Sequence, residues 1–280
     1  NDTTFHFLKA TALVERNRPA KDNQPGDLDQ AAALLEKARQ INDLNPTLYR
    51  ELAAIYSRDI RTVPRAIYVL QEGLARLPRS PILLMSLADV YTTAGKLDEA
   101  RELLADIMAS SGSFQAKLIK HRFDFYTALN EQDQNKRSKV IEGILSDLRK
   151  ATSTASKDEV YQAQMLIGWI CRQVYPDQPA LARQAFDEAH KLKDDRKEPV
   201  NELASLYFVQ PSFSDSSRML ELLCGRDANP LNYARLAISR QMEKKLEDAT
   251  KAARRAVDLL AEAKQEADGV RIAYANVLLS

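Results

Sequence analysis

The side chains best suited to acid–base or metal chemistry in this sequence are three histidines and two cysteines. The histidines, His6, His121 and His190, lie far apart and match no metal-binding spacing such as His-Glu-x-x-His. Cys171 and Cys224 form neither a Cys-x-x-Cys pair nor a zinc-ligand pattern. Serine or cysteine nucleophile motifs and phosphate-cradling glycine loops are also missing from the sequence. These patterns predict a protein that is not an enzyme and that uses no cofactor and no metal.

The charge and composition exclude several other classes of function. The sequence has 40 Lys and Arg against 39 Asp and Glu, so there is no global field to attract nucleic acid or an anionic membrane. Its longest apolar run, residues 165–171, is far shorter than the ~20 residues that cross a bilayer. Only 8 of the 280 residues are glycine, which favours helices over turn-rich sheets. We expect a soluble helical protein without a membrane span, in the cytoplasm or the periplasm.

One phrase recurs three times and predicts the first helix of a repeated unit. It begins with a proline, at Pro46, Pro81 and Pro230, where the missing N–H of the first helical residue costs nothing. A bulky residue follows three places on, and a Leu-Ala pair follows three and four places after that, so all of them share one helical face. The pairs are Leu52-Ala53, Leu87-Ala88 and Leu236-Ala237.

A second phrase follows the first and predicts a partner helix. It reads Gly26-Asp-Leu-Asp-Gln-Ala31, Gly95-Lys-Leu-Asp-Glu-Ala100 and Lys244-Lys-Leu-Glu-Asp-Ala249. Glycine is expected to end one helix, and the acidic residues suit the positive N-terminus of the next. The unit is therefore helix, short turn, helix, and Pro46 and Pro81 are 35 residues apart.

These two phrases together resemble the tetratricopeptide repeat family, whose period is about 34 residues. The closest match is Pro81–Ile107. The resemblance implies an all-α, right-handed superhelical solenoid of antiparallel helix pairs, with about seven pairs plus a terminal helix at Val270–Leu279. It implies a single domain over residues 1–280 that is regular at 1–110 and 230–266 and irregular at 113–225. The absence of an initial Met and of a leader favours a fragment of a longer protein.

In the family, the first helix of each pair lines a concave groove that holds a protein or peptide partner. The resemblance therefore implies a protein–protein interaction scaffold or adaptor that binds a peptide or helical segment of a partner. We expect the apolar members of the groove to be partly accessible to solvent. The residues carried over to the groove are Arg50, Ile82, Met85, Asp89, Phe123, Tyr126, Met165, Trp169, Phe208 and Ile238.

Alternatives remain open for both the groove and the function. Phe123 and Trp169 at helical spacing are also consistent with core positions. Arg50-Glu51 and Met85-Ser86 stand where chaperone-binding relatives hold a peptide carboxylate with Lys, Asn and Arg, which disfavours that activity. The chain also resembles an RNA-binding pentatricopeptide array, although nucleic acid is the less favoured partner because only one interval has the regular spacing. A third reading is the non-catalytic repeat region of a larger enzyme or secretion-system protein.

Overall fold

The protein consists of helices joined by short connections over the residues that the computed structural model describes, which are 2–16, 26–209, 212–226, 228–262 and 277. Those ranges contain fourteen α-helices, a 3₁₀ helix at Ile60–Thr62 and no β-strand. None of their helices is both long enough and apolar enough to cross a membrane. The helices are α1 Asp2–Arg16, α2 Asp27–Ile41, α3 Pro46–Tyr56, α4 Val63–Arg76, α5 Pro81–Thr93, α6 Leu97–Ser110, α7 Phe114–Leu129, α8 Gln134–Ala151, α9 Lys157–Val174, α10 Pro179–Leu192, α11 Lys197–Val209, α12 Phe213–Arg226, α13 Pro230–Met242 and α14 Leu246–Glu262.

Consecutive helices pack in pairs, from α1 with α2 to α13 with α14. The chain divides into two compact units, the first holding α1–α8 and the second, from Ser156 onward, holding α9–α14. The prediction of an all-α repeat fold with about seven helix pairs is confirmed. The predicted terminal helix at Val270–Leu279 lies outside the described residues except for Val277, and so does the predicted extension of the last pair to Glu266.

The helix starts follow the proline rule read from the sequence. Pro46, Pro81 and Pro230 are the first residues of α3, α5 and α13. Asn45 and Asn229 cap two of these helices, because each side-chain oxygen accepts a hydrogen bond from the amide two residues on, at 3.0 and 2.9 Å. A cap of this kind satisfies one of the backbone donors that the first turn leaves unpaired.

The turn between α5 and α6 shows why glycine suits this place in the second phrase. Gly95 adopts a left-handed backbone conformation, with φ of +75°, and the amide of Lys96 then bonds to the carbonyl of Tyr91 at 2.9 Å. Lys244 takes the same conformation, with φ of +64°, in the equivalent turn after α13. Gly26 behaves differently from the prediction, because it is extended and directly precedes α2.

The core of the first unit consists of two apolar clusters that both include α5. Leu83 and Leu87 belong to the cluster formed with α1–α4, whereas Ala88 belongs to the cluster formed with α6 and α7. Ala88 is completely buried, so the small side chain of the Leu-Ala pair lies where neighbouring helices meet. Helical spacing therefore places the two members of the pair in different layers of the repeat.

The core of the second unit depends on close contact between α9 and α10. A Cβ atom added to Gly168 would lie only 2.4 Å from Cε1 of Phe186, which is itself fully buried. Glycine is therefore required at this point of α9. The remaining pairs of this unit bury Leu203, Leu220 and four alanines of α14, which are Ala249, Ala252, Ala253 and Ala256.

Candidate functional site

The first helices of successive pairs form what we call the first-helix surface, which is described for each unit separately. In the first unit α3 packs beside α5, and α5 packs beside α7. In the second unit side-chain hydrogen bonds connect α9 to α11 and α11 to α13. These are the helices to which the sequence assigned the partner-binding residues.

An ion pair crosses the first-helix surface of the first unit. Nη1 of Arg122 on α7 donates to Oδ1 of Asp89 on α5 at 2.7 Å, and the two side chains are 24% and 34% exposed. The charge of Asp89 is therefore paired within its own chain. Arg122 occupies the place where the repeat pattern expects the alanine of Leu-Ala, and its long side chain reaches the neighbouring first helix instead.

Two polar bridges cross the first-helix surface of the second unit. Nε1 of Trp169 donates to Oε1 of Glu202 at 3.2 Å, and Arg172 forms an ion pair with the same carboxylate. Further along, Arg235 donates to Oδ1 of Asn201 at 2.9 Å and also to the hydroxyl of Ser205. These bonds link α9, α11 and α13 in turn.

The bridging residues are separated by one repeat. Arg122 and Asp89 are 33 residues apart, as are Trp169 and Glu202, and Arg235 and Asn201 are 34 apart. The tetratricopeptide period is about 34 residues, so equivalent positions on successive helices face each other. A search of the sequence for complementary side chains at this separation would have found Arg122, Glu202 and Arg235, which the motif comparison missed.

The charged guanidinium of Arg235 is partly buried. Burial lowers the pKa of Arg235, and the nearby carboxylate of Glu202 opposes that shift. The guanidinium remains protonated at neutral pH, because its ordinary pKa is far above that value. Its directly bonded acceptors, Asn201 and Ser205, are neutral. The second unit therefore presents a positive group whose field is screened less than it would be on an open surface.

Large apolar side chains lie exposed among these bridges. Trp169 is 41% exposed, and Leu231 and Met242 on α13 are more exposed still. Phe208 and Ile238 are half-buried, and the ring of Phe208 also packs edge to face against Phe213 of α12. The first-helix surface of the second unit thus carries exposed apolar side chains between polar bridges. A hydrogen bond holds the indole of Trp169 in place.

The remaining predicted groove residues differ in exposure. Tyr126 on α7 is 37% exposed, and Ile82 and Met85 on α5 are half-buried. Arg50 on α3 is exposed and forms an ion pair with its neighbour Glu51 at 2.6 Å. Their role in partner binding stays a prediction.

The predicted solvent access of Phe123 and Met165 is wrong, because both side chains are in the core. Phe123 is 8% exposed and belongs to the apolar cluster between α5, α6 and α7, where Ala116 and Ile119 on its own helix also lie. Met165 is 4% exposed and is the first of four consecutive buried residues of α9 that end at Gly168. The side chains of four consecutive residues point in different directions around most of the helix axis, so neighbouring elements cover α9 on more than one side.

The histidines do not assemble into a site. His6, His121 and His190 lie on α1, α7 and α10, and the Nδ1 atom of each is buried without a hydrogen-bond partner in the described structure. Burial lowers the pKa of His121, against the opposing effect of Asp124 and Asp147. Within the described ranges no three His, Cys, Asp or Glu side chains cluster as a metal site would require.

Comparison with known proteins agrees with the repeat architecture. The sequence model of the tetratricopeptide repeat family matches residues 63–115, which hold α4, α5, α6 and the start of α7. No curated protein matches the sequence. The family match includes Pro81–Ile107, the segment in which both repeated phrases are complete.

Solved structures resemble this chain at low sequence identity. A chain of the APC/C hetero-tetramer Cut9–Hcn1 superposes with a TM-score of 0.56 at 16% identity over 98% of this chain, which spans about half, 49%, of that chain. A tetratricopeptide repeat protein from Parabacteroides merdae gives a TM-score of 0.47 at 13% identity, covering 99% of both chains. PilF of Pseudomonas aeruginosa gives 0.45 at 13% identity, over 99% of this chain and 97% of that one. The helix pairs, the contacts one repeat apart and the match at residues 63–115 show a helical-repeat fold similar to that of the tetratricopeptide repeat family.

Proposed function

We propose that the chain is a protein-binding scaffold or adaptor that holds a peptide or helical segment of a partner on the first-helix surface of its second unit. The observation that carries the proposal is Trp169, a large aromatic side chain that is 41% exposed yet fixed by its bond to Glu202. Binding residues that dominate interfaces are commonly Trp, Tyr and Arg. Trp169 lies beside Arg172, so the surface offers an apolar anchor with charge next to it.

The energetics of exposure support the same interpretation. Burying a large apolar side chain is worth about 1.5–3 kcal/mol, and that stabilisation is only partly realised at Trp169, Leu231 and Met242. A partner that covers them would recover it. The bridges around Glu202 and Arg235 pre-position the polar groups, which lowers the ordering cost of binding.

The similar fold gives an analogy for this function. The Cut9–Hcn1 structure is a hetero-tetramer, so that protein assembles with a second kind of chain. Shared fold does not by itself transfer a partner. The analogy supports protein binding as a class, and the surface around Trp169 supplies the site.

Site-specific photo-crosslinking tests the proposal. A photoreactive phenylalanine analogue replaces Trp169 in one variant and Leu222 in the other. Leu222 lies on the second helix α12 and is 38% exposed, so it matches Trp169 in exposure but not in location. We expect discrete protein crosslinks from position 169 and few from position 222. Equal crosslinking from both positions would contradict the first-helix surface as the binding site.

Point variants then separate binding from folding. Trp169→Glu should abolish capture of the crosslinked partner, whereas Leu222→Glu should leave it unchanged. Both residues are exposed, so both variants should keep a melting temperature close to that of the unaltered chain. Filter binding with RNA at low and moderate salt tests the pentatricopeptide alternative, since phosphate-driven binding falls steeply as salt rises.

A further inference from the structure

The first unit contains a cavity of about 600 Å³ between α7 and α8, separate from the first-helix residues Phe123 and Tyr126. Apolar side chains of both helices line it together with charged ones, and the apolar side chains include Phe114 and Leu118 on α7 and Ile144 and Leu148 on α8. Cavities of roughly 300–1,000 Å³ are typical of small-molecule sites, so this one is large enough to admit side chains of a partner. We call this feature the α7–α8 groove.

The shape of the α7–α8 groove suits a helix. Its α8 wall runs from Lys139 to Ala151, and with a rise of ~1.5 Å per residue this is about 18 Å, or three turns. Val140 in this wall is 45% exposed, although it is a β-branched apolar side chain. Gly143 is also in the wall, and a Cβ atom built on it would have no atom within 4 Å, so the middle of the groove is open.

The charge at the edge of the groove is positive. Four lysines and two aspartates border it. Lys120 pairs with Asp124 at 2.5 Å, and Lys150 approaches Asp147 at 4.0 Å. Lys117 and Lys139 are exposed and have no carboxylate partner in the described part of the chain. The edge therefore carries two uncompensated positive charges.

His121 adds to the apolar lining rather than to the charge. Burial lowers its pKa, so the imidazole is neutral at pH 7, and its buried Nδ1 atom has no hydrogen-bond partner among the described residues. The neutral ring lines the groove together with Leu118 and Ile144.

We infer that the α7–α8 groove binds an amphipathic helix of a partner protein whose apolar stripe is flanked by acidic residues. The apolar stripe would cover Val140 and Ile144, with its side chains entering the open space above Gly143. Carboxylates on the flanks would meet Lys117 and Lys139. An apolar helical face laid into a groove is a recurrent recognition mode, and complementary charge fixes its partner and orientation. The site is independent of Trp169, so each can fail while the other holds.

The probe is a fluorescein-labelled synthetic peptide of about 15 residues, with leucines at i, i+4, i+7 and i+11 and glutamates beside them. A second peptide has lysines in place of the glutamates. Fluorescence anisotropy with the full chain should show binding of the acidic peptide at about 100 μM or tighter and at least tenfold weaker binding of the basic one. Binding of both peptides with equal affinity, or of neither at that concentration, would overturn the inference.

Matched variants test the location. Lys117→Glu with Lys139→Glu should weaken binding of the acidic peptide about tenfold or more. The control, Lys136→Glu with Arg149→Glu, should change the affinity by about twofold or less. It makes the same change of charge, but Lys136 and Arg149 lie outside the groove. Gly143→Phe should fill the groove and block the peptide while circular dichroism shows an unchanged fold. Three outcomes would reject the proposed occupant. The first two are loss of binding in the Lys136/Arg149 control and unchanged binding in Gly143→Phe. The third is that dodecanoate displaces the peptide and that the bound peptide gains no helix.

Discussion

At the scale of single residues, two equivalent turns are closed by different residue types. Gly95 and Lys244 both have a positive φ, and in both turns the following amide bonds back to a carbonyl five residues earlier, at 2.9 Å. This is the hydrogen bond of a helix end with a left-handed residue. Glycine adopts that conformation without penalty, whereas a residue with a Cβ atom is strained there.

Exchanging the two residue types should therefore change stability in opposite directions. Lys244→Gly should raise the free energy of unfolding by roughly 0.5–1 kcal/mol, because relief of the strain exceeds the added flexibility of the unfolded chain. Gly95→Ala should lower it by about 1 kcal/mol for the reverse reason. Urea unfolding measures both. Gly112→Ala is the control, since Gly112 has open space and no positive φ, and a loss as large as that of Gly95→Ala would reject the strain argument.

His121 gives the stability a defined pH dependence. Burial lowers its pKa below the ordinary 6.5, while Asp124 and Asp147 raise it and Lys120 and Lys117 lower it further. Below pH 6.5 the unfolded chain therefore binds a proton at His121 more readily than the folded chain does. The stabilisation is present above that pH and is lost as the pH falls toward the lowered pKa.

His121→Gln should flatten this part of the pH profile. Between about pH 7 and pH 5 the free energy of unfolding of the unaltered chain should fall more steeply than that of the variant. Urea unfolding across this range gives the two slopes, and an NMR titration of the imidazole gives the pKa directly. Identical slopes, or a pKa above 6.5, would show that the imidazole is not dehydrated in the folded chain.

At the scale of elements, the distance between paired helices depends on a single glycine in α9. Gly168→Ala should lower the free energy of unfolding by about 1–3 kcal/mol, since the added methyl group would overlap the buried ring of Phe186. The same change in α8, Gly143→Ala, should raise it by up to about 1 kcal/mol, because the site is open and alanine favours the helix. Thermal and urea unfolding of the two variants measure the contrast. Stabilisation by both changes would mean that α9 and α10 are farther apart than described.

The seam between helices, by which we mean the junction of α5, α6 and α7, offers a second test of packing. Ala88 is completely buried where α5, α6 and α7 meet, so Ala88→Leu should cost roughly 1–3 kcal/mol by overpacking. Ala105→Leu on the exposed side of α6 is the matched control and should change stability little. An unchanged urea midpoint for Ala88→Leu would place this residue away from the seam.

At the scale of the whole molecule, the division into two compact units has a measurable consequence. Trp169 is the only tryptophan and belongs to the second unit, so its fluorescence reports on that unit, whereas circular dichroism reports on all helices. In repeat folds each element interacts mainly with its neighbours, so a packing defect acts first on its own unit.

Defects in the two units should therefore separate the two signals. Gly73→Ala in the first unit would place a methyl group 2.8 Å from Cγ of Tyr49, and it should shift the dichroism transition more than the fluorescence transition. Gly168→Ala should shift the fluorescence transition at least as much as the dichroism transition. Coincident transitions in both variants would show that the chain unfolds as one cooperative unit.

Much of the fold could be predicted from local sequence. The starts at Pro46, Pro81 and Pro230 and the turn at Gly95 were correct, because capping and turn formation depend on neighbouring residues in the chain. The Leu-Ala pairs lie on the buried faces of their helices, as helical periodicity predicts from their spacing. These features determined the repeat class and the seven pairs.

Tertiary structure alone decided which apolar side chains are accessible. Phe123 and Trp169 are both aromatic residues on first helices, but one is 8% exposed and the other 41%. Periodicity says which residues share a face of a helix, but not which neighbouring helix covers that face. The partners of Asp89, Glu202 and Arg235 came from helices one repeat away, and the groove beside Gly143 came from the separation of α7 and α8. Such contacts depend on the packing distances between helices, which are set by side chains far apart in the chain, as Gly168 and Phe186 show.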